Sequence, residues 1–237
     1  MKPFLILQLR PLDAACENEL QAILKYGGIK EGQYRQIRME RQGVPYLDLA
    51  NYSGIIIGGG PGNVSVPEEK KSAAQKKYEI DLIKLYNHVF KLDFPLLGTC
   101  YGVGSIADYL GCEVSREKYS EKPGTVDIFL TKQAQNDPLT KGLPQTFRAF
   151  TGHKESCQRL PKGAVLLASS DVCPYQMFRF KKNIYTVQFH PELDFEGLAM
   201  RIEIYKHEGY FNPEDADKLI HENRNEKITV PELILRR

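Results

Sequence analysis

The spacing of hydrophobic residues changes in the middle of the stretch from residue 94 to residue 110. The first half is a short apolar run that opens beside a proline, and this pattern predicts a buried strand. In the second half the apolar residues take the i, i+3, i+4, i+7 spacing of one helix face: Val103, Ile106, Ala107 and Leu110. Gly111 follows, where a helix commonly ends. We therefore expect a strand that turns directly into a helix at Cys100.

The first 110 residues repeat this alternation of strand and helix. Two near-continuous apolar runs, over residues 4–9 and 52–57, are typical of strands covered on both faces. A weaker strand is predicted at 34–39, and helices are predicted at 17–26 and 79–90. The order strand-helix-strand-strand-helix-strand-helix predicts a mainly parallel sheet with helices on both faces.

The second half of the chain is richer in short strands and turns. Residues 181–183 predict a hairpin turn, so we expect antiparallel strands in the sheet or beside it. A strong helix is predicted at 195–207, and a polar tail follows that is helical in part and broken at Pro231. The predicted strands cover 112–115, 125–131, 146–150, 165–169, 175–180 and 184–189.

These elements predict a single domain over residues 1–237, with a core at about 4–207 and a C-terminal extension at about 208–237. No internal repeat or linker-like composition divides the chain. The predicted fold class is α/β: a three-layer sandwich with helices on both faces of a central sheet that is mixed and mostly parallel.

Composition excludes several classes of function. The 32 basic and 30 acidic residues are well mixed, and the net charge of +2 indicates no binding to nucleic acid or to an anionic membrane. No apolar run approaches the roughly 20 residues that span a bilayer. The apolar run near the N-terminus is too short for a signal peptide. Five scattered cysteines without a C-x-x-C pair predict neither disulfides nor a metal site, so we expect a reducing, cytoplasmic location.

Cys100 is the first candidate for chemistry. It stands at the predicted junction of strand and helix, with Gly98 and Gly102 two residues away on either side. A sharp strand-to-helix turn with small flanking residues is the geometry of a nucleophile elbow, and a helix N-terminus favours the reactive thiolate. The alternative is a buried structural cysteine in an ordinary turn.

His190 and Glu192 are candidates for the base and its partner. His190 directly follows a predicted strand, and residues at strand ends of a parallel sheet point into the crevice where ligands bind. Glu192 is close enough to hold one ring nitrogen of His190, as the third member of a triad does. The alternatives are a hydrogen-bonded histidine at a strand end and a carboxylate at a helix start.

A glycine loop, residues 58–62, follows the predicted strand at 52–57. It lacks the spacing of nucleotide-binding loops, and no nucleotide cofactor is expected. A backbone N–H aimed into the crevice at Gly60 suits a developing oxyanion. The alternative is a tight turn between a strand and a helix.

Together, Gly-Gly-Pro after the third strand, G-x-C-x-G at the elbow and His-Pro-Glu after a late strand resemble the class I glutamine amidotransferases. The resemblance covers about residues 4–207, and the nearest branch looks like stand-alone proteins similar to the glutaminase domain of GMP synthase. It implies the flavodoxin-like sandwich of that family. No cofactor and no metal are implied.

The resemblance also implies a role for each matching residue. Cys100 would attack the side-chain amide of glutamine, and the N–H groups of Gly60 and Tyr101 would hold the oxyanion. His190 would protonate the leaving ammonia and then activate water to hydrolyse the glutamyl thioester. Glu192 would orient His190.

Substrate-binding positions are also implied. In the family, a segment similar to Gly152, His153 and Lys154 lies beside the α-carbon of glutamine and contacts it through the backbone. The fourth residue after the nucleophile is usually a glutamine that binds the α-substituents, but here it is Gly104. Gly104 therefore makes space, either for a larger γ-glutamyl substrate or for a neighbouring side chain.

We expect a small-molecule substrate, glutamine or a γ-glutamyl compound. The chain has no synthetase domain and no P-loop, so ammonia made for use would pass to a synthetase on a separate chain. Two alternatives stay open: a γ-glutamyl peptidase or hydrolase, and a non-catalytic regulator on the same fold. The presence of Cys100, His190 and Glu192 disfavours the regulator.

Overall fold

A computed structural model of the chain describes residues 2–237. Its first half alternates strands and helices as the apolar pattern predicts, with one additional short helix. In chain order, the elements are β1 (Phe4–Gln8), α1 (Asp13–Gly27), β2 (Tyr34–Arg38), α2 (Met39–Gln42), β3 (Gly54–Ile57), α3 (Ala73–Leu92), β4 (Leu96–Thr99) and α4 (Tyr101–Tyr109).

The second half supplies the antiparallel strands and the remaining helices. They are β5 (Val114–Ser115), β6 (Glu121–Leu130), β7 (Thr146–His153), β8 (Ser156–Cys157), β9 (Val165–Ser169), β10 (Met177–Phe180), β11 (Ile184–Val187), α5 (Phe195–Tyr205), α6 (Ala216–Asn223) and α7 (Glu232–Leu235). Strand β8, which pairs with β5 in a small second sheet, was not predicted.

Nine strands form the central sheet in the order β2-β1-β3-β4-β11-β10-β9-β6-β7. The five from β2 to β11 run parallel, and the last four continue the sheet in antiparallel fashion. The predicted α/β class with a mixed, mostly parallel sheet is confirmed, and residues 181–183 form the expected hairpin turn between β10 and β11.

Both faces of the parallel part are covered by helices, because successive residues of a strand point to opposite faces. Leu5 and Leu7 of β1 lie in the large apolar cluster that includes residues of α3 and α4. Ile6, between them, packs in a second cluster with Leu20 and Ile23 of α1. The alternation within one short strand thus produces the three layers.

The pairing of β11 with β4 positions the candidate site. Thr186 lies opposite Gly98 and Val187 opposite Thr99, so the carboxyl ends of the two strands lie side by side. Parallel strands separated by almost 90 residues of chain therefore deliver Cys100 and the segment after β11 to the same edge of the sheet.

The tail differs from the sequence prediction in one respect. Pro231 does not break a helix but immediately precedes α7, where its restricted φ suits a helix start. Helix α6 packs against α5 and β6, and α7 packs against α1. A single domain over 1–237 stays a prediction. Within residues 2–237, no helix has the length and apolar character needed to cross a bilayer.

Candidate active site

Cys100 lies at a sharp turn between β4 and α4, where the change of spacing predicted it. Its backbone has φ +48° and ψ −96°, a conformation that residues with a side chain rarely adopt. A Cβ on Gly98 would lie 3.1 Å from the carbonyl carbon of Gly102, whereas a Cβ on Gly102 would have ordinary contacts. Close approach of two backbone segments therefore requires glycine at position 98. This is the geometry of a nucleophile elbow.

His190 and Glu192 form a buried pair beside this elbow. The His190 Nδ1–H donates to Glu192 Oε1 at 2.9 Å, and the two residues are only 5% and 1% exposed. The backbone N–H of His190 donates to Phe150 O at 2.9 Å, which anchors the segment after β11. Helix α5 is capped instead by Asp194, whose carboxylate accepts from Gly197 N. Glu192 is therefore not the helix-start carboxylate that the sequence left as an alternative.

The charges around this pair favour the protonated ring. Burial by itself would lower the pKa of His190, but the carboxylate of Glu192 and a hydrogen bond with Cys100 raise it to about 9. Burial would raise the pKa of Glu192, yet the charges of His190 and Arg201 hold it well below its usual range. A protonated imidazole next to a thiol is able to give a proton to a leaving group.

Arg201 is a residue of the site that the sequence reading missed. Its Nη1 donates to Glu192 Oε1 at 2.9 Å. The same nitrogen lies 3.3 Å from His190 Nδ1, but that ring nitrogen donates its own proton to Glu192, so we assign the bond of Arg201 to the carboxylate. The sequence pattern of α5 could have revealed it, because a charge on a buried helix face requires a partner. That face carries Leu198, Arg201, Ile202 and Tyr205.

The glycine loop brings backbone N–H groups to Cys100. A Cβ on Gly60 would lie 2.2 Å from Leu9 O, so only glycine fits there. Within residues 2–237, the N–H groups of Gly60 and Tyr101 have no hydrogen-bond acceptor. Glu19 supports the loop, because its Oε1 accepts from Gly59 N at 3.2 Å. Two unpaired donors near a nucleophile suit an oxyanion.

The segment 152–154 lies beside Cys100, but its side chains have different partners. Gly152 O is 3.9 Å from Cys100 Sγ. The ring of His153 is turned away and bonds to Glu121 Oε2 at 2.8 Å, while Lys154 Nζ donates to Pro61 O at 3.1 Å. Substrate binding by this segment stays a prediction, and it would use the backbone rather than the imidazole.

Gly104 lies one helical turn beyond Cys100, and the structure shows which neighbour uses the space. A Cβ there would lie 3.3 Å from Glu155 Oε1. The two carboxylate oxygens of Glu155 accept from Val64 N at 2.7 Å and Ser65 N at 3.0 Å. Glu155 is thus a neighbouring side chain beside Gly104, and space for a larger γ-glutamyl substrate stays a prediction. Sequence reading missed Glu155, which stands directly after the candidate segment.

Two clefts meet at Cys100, and both also contact Gly60 and Tyr210. The polar cleft, about 290 Å³ with its open mouth, is lined further by Tyr101, Gly104, His153, Lys154 and Glu155. The apolar cleft, about 440 Å³ with its mouth, is lined further by Arg10, His190, Leu198, Arg201, Ile202 and Phe211. The sequence reading missed the contribution of Tyr210 and Phe211, because they lie in the predicted extension beyond the core.

Comparison with known proteins agrees with this geometry. The sequence profile of the family described as "Glutamine amidotransferase class-I" matches residues 21–197, about three quarters of the chain. The chain belongs to the class I glutamine amidotransferase family. A crystal structure of a glutamine amidotransferase from Thermotoga maritima matches this family member with a TM-score of 0.76 at 24% identity, covering 100% of this chain and 96% of that chain.

Proteins named as GMP synthases are among the sequence relatives of this family member. It is 34% identical over 192 residues to the glutamine-hydrolysing GMP synthase of Caldicellulosiruptor saccharolyticus, covering 75% of this chain and 34% of the relative. It is 29% identical over 196 residues to a protein of Thermoplasma volcanium that is named as one subunit of glutamine-hydrolysing GMP synthase, covering 81% of this chain and 89% of that protein. The chain thus spans about a third of the first relative's length and most of the second's.

Proposed function

We propose that this protein hydrolyses the γ-amide of glutamine through a glutamyl-thioester intermediate. The observation that carries the proposal is the hydrogen-bonded His190–Glu192 pair beside Cys100 at a strained elbow. Nucleophile, proton carrier and orienting carboxylate are the three parts that such catalysis requires.

The steps follow from the positions of these groups. The proton of the Cys100 thiol passes to His190, and Cys100 Sγ attacks the γ-carbonyl carbon. The N–H groups of Gly60 and Tyr101 bind the oxyanion. His190 then gives its proton to the amide nitrogen, and the carbon–nitrogen bond breaks to release ammonia. In the second half, His190 takes a proton from water, which attacks the thioester and releases glutamate.

The fate of the ammonia is part of the proposal. The Thermoplasma relative is of similar size, and its name denotes one part of a larger GMP synthase. We infer by this likeness that a synthetase on a separate chain receives the ammonia.

The test is ammonia release from glutamine together with labelling of Cys100 by an alkylating glutamine analogue. Burial raises the pKa of Cys157 to about 12 and that of Cys173 to about 11, so neither thiol should react. We expect one labelled cysteine, and no hydrolysis by Cys100→Ser. Labelling spread over several cysteines, or ammonia release by Cys100→Ser, would contradict the proposal. Retained activity in Cys157→Ser is the matched control.

A further inference from the structure

We propose that the apolar cleft binds the leaving group of a γ-glutamyl dipeptide, namely an amino acid with an apolar side chain and a free carboxylate. This inference rests on the proposed function, since it names a further substrate class for the same nucleophile. It depends on three features of the cleft: the position of His190, an available donor on Arg10 and the apolar wall.

The position of His190 identifies which cleft receives the leaving group. A leaving nitrogen has to lie next to the group that protonates it. His190 lines the apolar cleft and is absent from the lining of the polar cleft. The γ-glutamyl portion therefore occupies the polar cleft, on the side of Gly104 and Glu155, and the departing amine enters the apolar cleft.

Arg10 presents a cationic donor beside the reacting groups. It is 3% exposed; its Nε donates to Glu19 Oε1 at 2.7 Å and its Nη1 donates to Tyr205 OH at 3.3 Å. Within residues 2–237, its Nη2 has no acceptor. A single point, the Cβ position of Gly59, is 3.0 Å from this Nη2, 2.8 Å from His190 Cε1 and 3.4 Å from Cys100 Cβ.

Arg10 Nη2 therefore lies close to both His190 and Cys100, within reach of a carboxylate attached to the leaving nitrogen. In a γ-glutamyl dipeptide, the carboxylate is two bonds from the nitrogen that His190 protonates. Arginine binds carboxylates strongly, and the bond is stronger when both groups are removed from water. The guanidinium of Arg201 adds a second positive charge to the wall, although its Nε and Nη2 are enclosed and have no partner within residues 2–237.

The remaining wall is apolar and fits a hydrocarbon side chain. It includes Leu193, Leu198, Ile202 and Phe211, all of them buried. Ammonia is a single heavy atom and gains nothing from such a wall, whereas a leucine-sized side chain buries apolar surface against it.

The reaction is balanced by the same two half-reactions. Cys100 forms a thioester with the γ-carbonyl carbon, the amide carbon–nitrogen bond breaks, and the proton of His190 goes to the nitrogen of the departing amino acid. One water then hydrolyses the thioester, so the products are glutamate and the free amino acid.

The experiment compares kcat/KM for three substrates: glutamine, γ-glutamyl-leucine and γ-glutamyl-isopentylamine, which is the second without its carboxylate. We expect γ-glutamyl-leucine to exceed both others by roughly tenfold to a hundredfold, the effect of one hydrogen bond to a charged group. Equal values for the leucine and isopentylamine compounds would overturn the assignment of Arg10, and a preference for glutamine would overturn the whole inference.

For each variant, the measured quantity is the ratio of kcat/KM between two substrates. Partial loss of folded protein lowers both values equally and leaves this ratio unchanged. Arg10→Gln with Glu19→Gln removes both buried charges together and should bring the leucine to isopentylamine ratio to about one. Ile202→Ala should lower both values relative to glutamine. Ile234→Ala, equally buried but in a different apolar cluster, should leave both ratios unchanged.

Free leucine should also bind to Cys100→Ala more tightly than isopentylamine, as measured by calorimetry without turnover. A different result would reject the proposed function: none of the three substrates is hydrolysed and Cys100 is not labelled. That result would reject this inference as well. Hydrolysis of glutamine alone leaves the proposed function standing and rejects only the inference.

Discussion

Two buried histidine–carboxylate pairs lie within residues 2–237, and they differ in what surrounds the ring and the carboxylate. His190 bonds to Glu192 at 2.9 Å, and His153 bonds to Glu121 at 2.8 Å. The second nitrogen of His190 is on the side of Cys100, whereas Nδ1 of His153 lies 3.0 Å from Glu155 O. One ring therefore has a nitrogen available for chemistry, and the other is held from both sides.

The two carboxylates also differ in the groups that surround them. Glu121 also accepts from Ser170 Oγ, Gln176 Nε2 and Thr151 Oγ1, so its surroundings are almost entirely hydrogen-bond donors. Burial would raise the pKa of Glu121, but the bond and charge of His153, with the other donors, lower it. A buried pair of this kind fixes the chain that carries Gly152 beside Cys100. Both histidines have a carboxylate partner, so that partner does not distinguish a catalytic histidine. The distinguishing feature is a second ring nitrogen that is free and faces a thiol.

The largest expected difference between the pairs comes from replacing each histidine by glutamine. His190→Gln removes the proposed proton carrier and should lower kcat for glutamine by about 10³-fold, within the usual range for general acid–base catalysis. His153→Gln keeps one donor toward Glu121, so kcat should fall less than about tenfold while Tm decreases. Ammonia release and thermal unfolding measure both. A comparable fall in kcat with unchanged Tm in both variants would abolish the distinction.

A substitution that moves the backbone beside Cys100 tests the site of His190 further. Gly60→Ala places a Cβ against Leu9 O, so the backbone has to move, and with it the N–H that we propose as an oxyanion donor. Loss of one such donor should lower kcat by roughly 10²–10³-fold. Gly62→Ala is the matched control, because the closest contact of its Cβ would be the Tyr78 hydroxyl at 3.1 Å, which clears with a shift of a few tenths of an ångström. Similar kcat values for the two variants would rule out an oxyanion role for Gly60.

Replacing each carboxylate should have a smaller effect on rate. Glu192→Gln removes a charged hydrogen bond from His190 and should lower kcat/KM by roughly tenfold to a hundredfold, less than the loss of His190 itself. Glu121→Gln should act mainly on the free energy of unfolding, since it weakens several buried hydrogen bonds at once. Kinetics and urea unfolding on the same samples separate these effects. A catalytic loss in Glu121→Gln that matches Glu192→Gln would contradict this division.

The last expected effect is on stability as a function of pH and not on the rate. The pKa of His190 is raised from 6.5 to about 9 in the folded protein, so its contribution is complete below about pH 6.5 and is lost as pH rises through 9. The free energy of unfolding of wild type relative to His190→Gln should therefore decrease by roughly 3 kcal/mol over that range. Glu192→Gln should flatten the dependence, and a difference that increases with pH would refute the assignment.

Local sequence was sufficient for the features that depend on neighbours in the chain. The switch from a strand run to a 3.6-residue period located the elbow at Cys100, because a period of two and a period of 3.6 give different faces. His190 and Glu192 are two residues apart, so their contact needs only a turn. The loop that holds Gly60 directly follows a strand, and its position relative to Leu9 is set by the adjacent parallel strand.

Tertiary structure alone decided what lies around these residues. Strand β11 pairs with β4 although they are almost 90 residues apart, and no local period encodes such a pairing. Arg10, Glu155 and Arg201 come from three distant segments, and each is buried only because another segment supplies its partner. His153 was assigned to the substrate side, yet its ring turns to Glu121, 32 residues earlier. A buried polar side chain points toward its hydrogen-bond partner, and the tertiary fold determines which partner lies nearby.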